Sequence, residues 1–91
     1  MLALVRQADL PMPELNAEID GMEVDFVWRD ARLIVETDGW RAHGTRAAFE
    51  RDRRRDADLA AAGWRVLRFS HSQLYRDPVW AVRRIAEALA A

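Results

Sequence analysis

The sequence predicts an α/β domain in which helices cover both faces of a four-stranded mixed sheet, a three-layer α/β/α arrangement. Two segments rich in β-branched and aromatic residues, 23–28 and 32–38, are separated by a short turn and are typical of paired strands. A long helical segment, 46–62, then leads to a fourth strand at 64–69. A helix that connects two strands of one sheet favours a parallel pair and a right-handed crossover. We therefore expect the third and fourth strands to be parallel.

The first part of the chain supplies one more helix and one more strand. Residues 2–8 form a short apolar helix that ends before Pro11. A proline-containing linker leads to a first strand at 15–19. Asp20 and Gly21 then form a dipeptide typical of a two-residue hairpin, so the first strand is expected to pair with the second.

Capping residues mark the helices in the second half of the chain. Thr45 can cap the helix at 46–62, and Gly63 is a typical stop after its last turn. Residues 70–75 form a turn or a short helical piece. Asp77 followed by Pro78 predicts the start of a final helix that runs to the end of the chain. We expect its core-facing stripe to be Val79, Val82, Ile85 and Leu89.

Composition narrows the chemistry. The chain has 91 residues, the size of a single domain, and a net charge of −1. All 14 basic residues are arginine, so no lysine can act as a catalytic base. Cysteine is absent, which excludes disulfides and thiolate metal sites and favours a cytoplasmic location. We expect no membrane association, because no apolar run approaches the roughly 20 residues of a membrane-spanning helix.

The turn between the second and third strands determines which side chains meet. If Asp30 and Ala31 form a two-residue loop, Trp28 lies opposite Leu33. Asp25 then lies opposite Glu36, whereas a loop one residue longer would put these two carboxylates on opposite faces. With the shorter loop, one face carries Val24, Phe26, Trp28, Leu33, Val35 and Thr37, and the other carries Glu23, Asp25, Val27, Ile34, Glu36 and Asp38.

This register places Asp25, Glu36 and Asp38 together on one patch. Opposed side chains in a sheet have Cβ atoms about 5 Å apart, and like charges there are destabilising. A divalent cation resolves such a conflict, because Mg²⁺ prefers hard carboxylate oxygens. The alternative is a solvated acidic strand face.

Acidic residues also occur on the inward stripe of the helix at 46–62. Phe49, Leu59 and Ala60 mark that stripe, and helical spacing adds Asp52 and Asp56 to it. Asp52 is nearer the start of the helix and is expected to approach the carboxylate patch. The alternative for these inward acids is an ion pair with Arg55 or Arg68.

Three motifs combine into a resemblance: VDF, then LIVETDGWRAH, then RDRRRDADLAAAGWRVLRF. Together they resemble the small predicted endonucleases related to the very-short-patch mismatch repair endonuclease, within the PD-(D/E)XK superfamily. The resemblance runs from the first helix to about Arg84. It implies a restriction endonuclease-like αβββαβ core, followed here by the C-terminal helix, that binds Mg²⁺ or Mn²⁺ and cleaves DNA, with a connection to DNA repair.

The resemblance also implies roles for individual residues. Asp25 takes the position of the superfamily's first acid, and Glu36 that of the acid in its second pair. Asp38 stands where the superfamily has a lysine. The short-patch relatives also lack this lysine and use a nearby histidine, which makes His43 the candidate for proton transfer. Such domains usually carry an acid on the first helix, upstream of the segment that matches this chain.

These roles define the expected site. Asp25 and Glu36 are candidate metal ligands, and Asp38 is a further ligand or orients water. His43 is the candidate general base or acid, since its unperturbed pKa near 6.5 suits proton transfer at neutral pH, although a histidine that bonds a carbonyl is the alternative. The candidate DNA contacts are Arg68 and Arg55 for phosphates and Trp40 for stacking on a base, and Asp52 is assigned a supporting role.

The leading hypothesis is therefore a single metal-dependent endonuclease domain spanning residues 1–91. The start of its first helix, with the usual acid, is expected to be missing from this chain. The alternatives are an inactive nuclease-fold module that binds nucleic acid or protein within a larger protein, and a structural domain whose acids pair with arginines.

Overall fold

The computed structural model describes residues 1–38 and 45–91. The loop predicted at 39–44, with Trp40 and His43, lies outside the described residues. No helix in the two described ranges is long and apolar enough to cross a membrane. The described elements, in chain order, are α1 (Leu2–Gln7), β1 (Glu14–Ile19), β2 (Met22–Trp28), β3 (Leu33–Asp38), α2 (Arg46–Ala61), β4 (Arg65–Ser70), α3 (His71–Arg76) and α4 (Pro78–Ala90).

The four strands form one mixed sheet in the order β1-β2-β3-β4. The first three are an antiparallel meander, and β4 is parallel to β3, as the helical connection through α2 predicts. Asp20 and Gly21 both have positive φ angles, of 50° and 80°, which is the backbone of the expected tight hairpin between β1 and β2. The predicted topology is confirmed.

The hairpin between β2 and β3 has the predicted register. Phe26 pairs with Val35, and Trp28 pairs with Leu33. Arg32 donates its amide to the carbonyl of Arg29 at 3.0 Å, which closes the turn around Asp30 and Ala31. Arg32 has a φ of 51° and lies outside the strand, so β3 begins one residue later than predicted.

Each face of the sheet has its own apolar cluster, which gives the three layers. Residues of α1 and α4 pack against one face, and Leu59 of α2 packs against the other. The buried residues of the first cluster are Val5, Trp28, Leu33, Val35, Phe69, Ala81 and Ile85. Those of the second are Ile19, Val24, Val27, Ile34 and Leu59.

Val24 packs on the face opposite to the predicted one. It was expected beside Phe26 but belongs to the cluster of Val27 and Ile34. The backbone ladder between β2 and β3 ends at Phe26, and Asn16, with a φ of 47°, interrupts the pairing of β1 with β2 at Asp25. The strict alternation of side chains is therefore broken at Asp25, one residue after Val24.

Two helical stripes also differ from prediction. Phe49 is 49 % exposed, with the guanidinium of Arg53 4.6 Å above its ring, and Ala60 is exposed, so the inward stripe of α2 rests on Leu59. In α4 the fully buried residues are Ala81 and Ile85, whereas Val79 is 67 % exposed. The apolar pattern identified the helices correctly but placed their core faces partly wrong. In α4 the small side chain of Ala81 packs in the core in place of the larger Val79.

Arg32 fixes the end of α2 against the β2–β3 turn. Gly63 has a φ of 92° and follows the helix as the expected stop. The guanidinium of Arg32 donates hydrogen bonds to the carbonyls of Ala62, at 2.6 Å, and Gly63, at 3.2 Å. It also lies 4.4 Å above the ring of Trp64. With the amide of Arg65, which donates to the carbonyl of Arg32 at 2.9 Å, these contacts join the start of β4 to the β2–β3 turn.

Candidate active site

Asp25 and Glu36 lie side by side where the backbone ladder between β2 and β3 stops. The amide of Asp25 donates to Oε2 of Glu36 at 3.2 Å. The amide of Thr37 donates to Oδ2 of Asp25 at 2.8 Å, and its hydroxyl lies 3.4 Å from the same oxygen. Each carboxylate therefore bonds the backbone of the neighbouring strand. The structure brings together the two acids that the register placed opposite each other.

Glu36 is the one charged side chain that is buried in the described part of the chain, with 5 % of its surface exposed. Burial raises the pKa of Glu36 from 4.5 to about 7, against the opposing effects of Arg55 and of the amide of Asp25. The charge of Asp25 and a hydrogen bond between the two side chains raise the pKa further. The opposing effect of a cationic neighbour keeps this pKa from rising further.

Arg55 of α2 is that neighbour in this structure. Its Nη2 donates to Oε1 of Glu36 at 2.5 Å and also to the backbone carbonyl of Glu23. The Arg55 side chain is 30 % exposed, and its Nε has no hydrogen-bond partner among the described residues. An arginine from α2 thus offsets part of the predicted conflict between the two acids.

A second arginine holds Asp38. Arg68, in β4, donates from Nη1 to Oδ2 of Asp38 at 2.7 Å and from Nη2 to Oδ1 of Asp56 at 2.8 Å. Burial opposes the charged form of Arg68, but these two carboxylates outweigh burial and raise its pKa. Arg68 therefore ties the end of β3 to α2. The predicted ion pair between Arg68 and an inward acid of the helix exists, and Asp56 makes it.

Asp52 lies near this second arginine. It lines a cavity of about 250 Å³ together with Phe49, Arg53, Asp56 and Arg68. The sequence placed Asp52 and Asp56 on one stripe, and both line this cavity. Asp52 was expected to approach the strands, and Asp56, one turn further along the helix, bonds Arg68 of β4.

A cleft of about 530 Å³ opens beside Asp25. It lies between the start of α1 and the sheet, and Asn16 and Thr37 contribute to its polar lining. Neither residue was identified from sequence. Asn16 could have been suspected, because asparagine is among the few residues that tolerate a positive φ inside a strand. The cleft gives the carboxylate of Asp25 access to solvent.

The two carboxylates are the kind of oxygen donor that a divalent cation binds. Mg²⁺ keeps several waters and is usually bound through one or two carboxylates together with substrate phosphates. Asp25 and Glu36 offer two such groups on adjacent strands, with one oxygen of Glu36 shared with Arg55. No group of three or more acids or histidines suited to a metal ion occurs within residues 1–38 and 45–91.

The fold matches that of a known nuclease domain. The catalytic domain of the homing endonuclease I-Bth0305I superposes with a TM-score of 0.78 at 19 % sequence identity. The match covers 97 % of this chain and 87 % of that domain. The three-layer fold is thus that of an endonuclease catalytic domain.

Two longer proteins are similar in sequence. The uncharacterized proteins MT2308, of Mycobacterium tuberculosis strain CDC 1551 / Oshkosh, and Rv2248, of strain ATCC 25618 / H37Rv, are each 35 % identical over 85 residues. The alignment covers 88 % of this chain but 31 % of each relative. The chain therefore spans less than a third of the length of these relatives.

A family model covers almost the whole chain. The model REase_MTES_1575, of restriction endonuclease-like proteins, matches residues 4–89. The matched range begins in α1 and includes both Asp25 and Glu36 as well as the arginines that pair with the acids. The chain belongs to the REase_MTES_1575 family of restriction endonuclease-like proteins.

Proposed function

We propose that this chain is a single metal-dependent domain, residues 1–91, that hydrolyses phosphodiester bonds in DNA. The observation that carries the proposal is the pairing of Asp25 with Glu36 on adjacent strands, one carboxylate buried and the other beside an open cleft. Membership of a restriction endonuclease-like family supports a nuclease. Mg²⁺, with Mn²⁺ as a substitute, is the proposed cofactor.

Each residue of the expected site has a proposed task. Asp25 and Glu36 hold the cation and direct it toward the cleft. Asp38 serves as a further ligand or orients a water molecule. His43 is the general base or acid, and it follows Asp38 closely in the sequence. Bound Mg²⁺ would acidify a water molecule and neutralise phosphate charge.

The proposed DNA contacts involve residues around the two carboxylates. Arg68 and Arg55 are the phosphate contacts and Trp40 is the stacking residue, with Asp52 in support. Both terminal nitrogens of Arg68 bind carboxylates, so a phosphate would have to share or replace one of these partners. This chain covers 31 % of the length of each of its two relatives. What such longer proteins cut or bind is therefore also a proposal.

A second candidate is a nuclease-fold module that binds nucleic acid or protein without cutting. The observation that favours it is the pairing of acids with arginines: Arg55 binds Glu36, and Arg68 binds Asp38. If these ion pairs persist in the presence of metal, the carboxylates are structural.

Nicking of supercoiled plasmid separates the two candidates. Wild type and Asp25→Asn, purified side by side, are compared with Mg²⁺ and with Mn²⁺ at matched concentrations. We expect weak nicking by the wild type, stronger with Mn²⁺, and none by Asp25→Asn. Contaminating nucleases would cut equally in both preparations. Equal cutting, or no cutting with either metal, favours the binding module.

A further inference from the structure

Arg55 binds the oxygen of Glu36 that accepts no hydrogen bond from the sheet. Oε2 of Glu36 accepts the amide of Asp25 and so belongs to the link between β2 and β3. Oε1 is bound by Nη2 of Arg55 at 2.5 Å. A metal ion that binds Oε1, or both oxygens of Glu36, would meet the guanidinium of Arg55 at that oxygen.

Arg55 is bound by fewer carboxylates than Arg68. Arg68 is fixed by two carboxylates, from β3 and α2. Arg55 has one carboxylate partner and one backbone carbonyl, its Nε has no partner among the described residues, and 30 % of its side chain is exposed. Its guanidinium can therefore leave Glu36 for solvent by rotation of a long side chain without breaking a second ion pair.

Charge explains why Arg55 should bind Glu36 in the metal-free protein and leave it when a metal ion binds. A buried carboxylate without a partner is strongly unfavourable, and Arg55 supplies the partner for Glu36. A divalent cation at the same oxygen would compensate the charge by itself and would repel a guanidinium a few ångströms away. The two cations therefore compete for one position.

We propose that Arg55 is a displaceable counter-cation that holds the metal position on Glu36 in the metal-free protein. This inference rests on the proposed metal site. It adds that a metal ion must displace Arg55 from Glu36 in order to bind the wild-type chain. Loss of Arg55 should therefore strengthen metal binding while it weakens the metal-free fold. If Arg55 is a phosphate contact that does not compete with the metal, its removal should leave metal affinity unchanged. If Arg55 instead orients Glu36 for the metal, its removal should lower that affinity.

Calorimetric titration with Mn²⁺ tests this competition in the intact chain. Arg55→Gln is compared with Arg54→Gln, which removes the same charge from the neighbouring, exposed position of α2. We expect Arg55→Gln to bind Mn²⁺ at least about tenfold more tightly than Arg54→Gln. Thermal unfolding gives a second readout: Arg55→Gln should melt lower without metal and gain more from Mn²⁺ than the control.

The outcomes distinguish this inference from the proposed function. If wild type binds Mn²⁺ and Glu36→Gln does not, but Arg55→Gln binds no more tightly than Arg54→Gln, the competition is refuted and the metal site stands. If no form binds Mn²⁺, Arg55→Gln included, both proposals fail. Should Arg55→Gln not fold, Arg55→Met replaces it, because methionine keeps an unbranched side chain but removes the competing charge; binding weaker than or equal to that of Arg54→Gln would again refute the competition.

Discussion

The amide of Asp25 donates a hydrogen bond to Oε2 of Glu36, so the two proposed metal ligands also join two strands of the sheet. This double role sets two effects against each other. The hydrogen bonds stabilise the end of the β2–β3 ladder, while the proximity of two carboxylates, with Glu36 buried, destabilises it. Substitutions that keep the hydrogen-bonding atoms but remove a charge separate the two effects.

Asp25→Asn and Glu36→Gln are therefore expected to raise the melting temperature of the metal-free protein. Each amide keeps an oxygen that can accept the same backbone bond, and each removes the repulsion. Relief of strain at functional sites commonly gives about 0.5–2 kcal/mol. Asp25→Asn should gain more, because Glu36→Gln also leaves Arg55 without its charged partner. Scanning calorimetry with a chelator present measures both; lower melting temperatures for both variants would indicate structural ion pairing instead.

The stability of the metal-free protein should depend on pH through Glu36. Its pKa is raised from 4.5 to about 7 on folding, so between these values the folded state binds more protons than the unfolded state. The free energy of unfolding should therefore fall as pH rises across this window, by up to about 3 kcal/mol, and this contribution should level off above pH 7.

Urea denaturation at several pH values checks this dependence. Glu36→Gln should lose most of the slope between pH 4.5 and 7, since glutamine does not titrate. Glu50→Gln is the matched control, because Glu50 is an exposed acid on α2. Equal slopes in wild type and Glu36→Gln would show that the protonation of Glu36 does not govern stability.

Arg68→Met should destabilise the fold by about 1–3 kcal/mol. The change leaves Asp38 and Asp56 without a shared cation in a site that is only partly open to solvent, so the cost lies below that of a fully buried pair. Arg46→Met is the control: its pair with Glu50 is largely exposed, and its loss should cost less than about 0.5 kcal/mol. Chemical denaturation of the two variants measures the difference. If they unfold alike, Arg68 does not hold β3 to α2.

His43→Ala is expected to slow metal-dependent nicking by about 10²–10⁴-fold, the usual effect of losing a general acid or base. The melting temperature should change little if the role is chemical. Rates of plasmid nicking and the melting temperature are measured on the same preparation. Unchanged nicking by His43→Ala would assign proton transfer to another group and leave this histidine as a loop residue.

The turn residues and strand patterns of the sequence were sufficient to predict the sheet and the closeness of its two acids. The Asp20-Gly21 and Asp30-Ala31 turns determine the register of both hairpins, because a tight turn leaves one alignment of the strands. That register, extended one residue beyond the observed pair of Phe26 and Val35, predicted Asp25 beside Glu36 without any knowledge of the helices. The stop at Gly63 and the parallel fourth strand follow from equally local rules.

Only the tertiary structure decided how those acids are compensated. Arg55 reaches Glu36 from α2, and Arg68 reaches Asp38 from β4, across many residues of sequence. Such pairs depend on where a helix lies over a sheet, to within about an ångström, and the sequence offered 14 arginines to choose from. The packing of Val24 was likewise decided in three dimensions. Val24 joins the cluster of Val27 and Ile34, and at Asp25 hydrogen bonds between side chains and backbone take the place of the regular ladder.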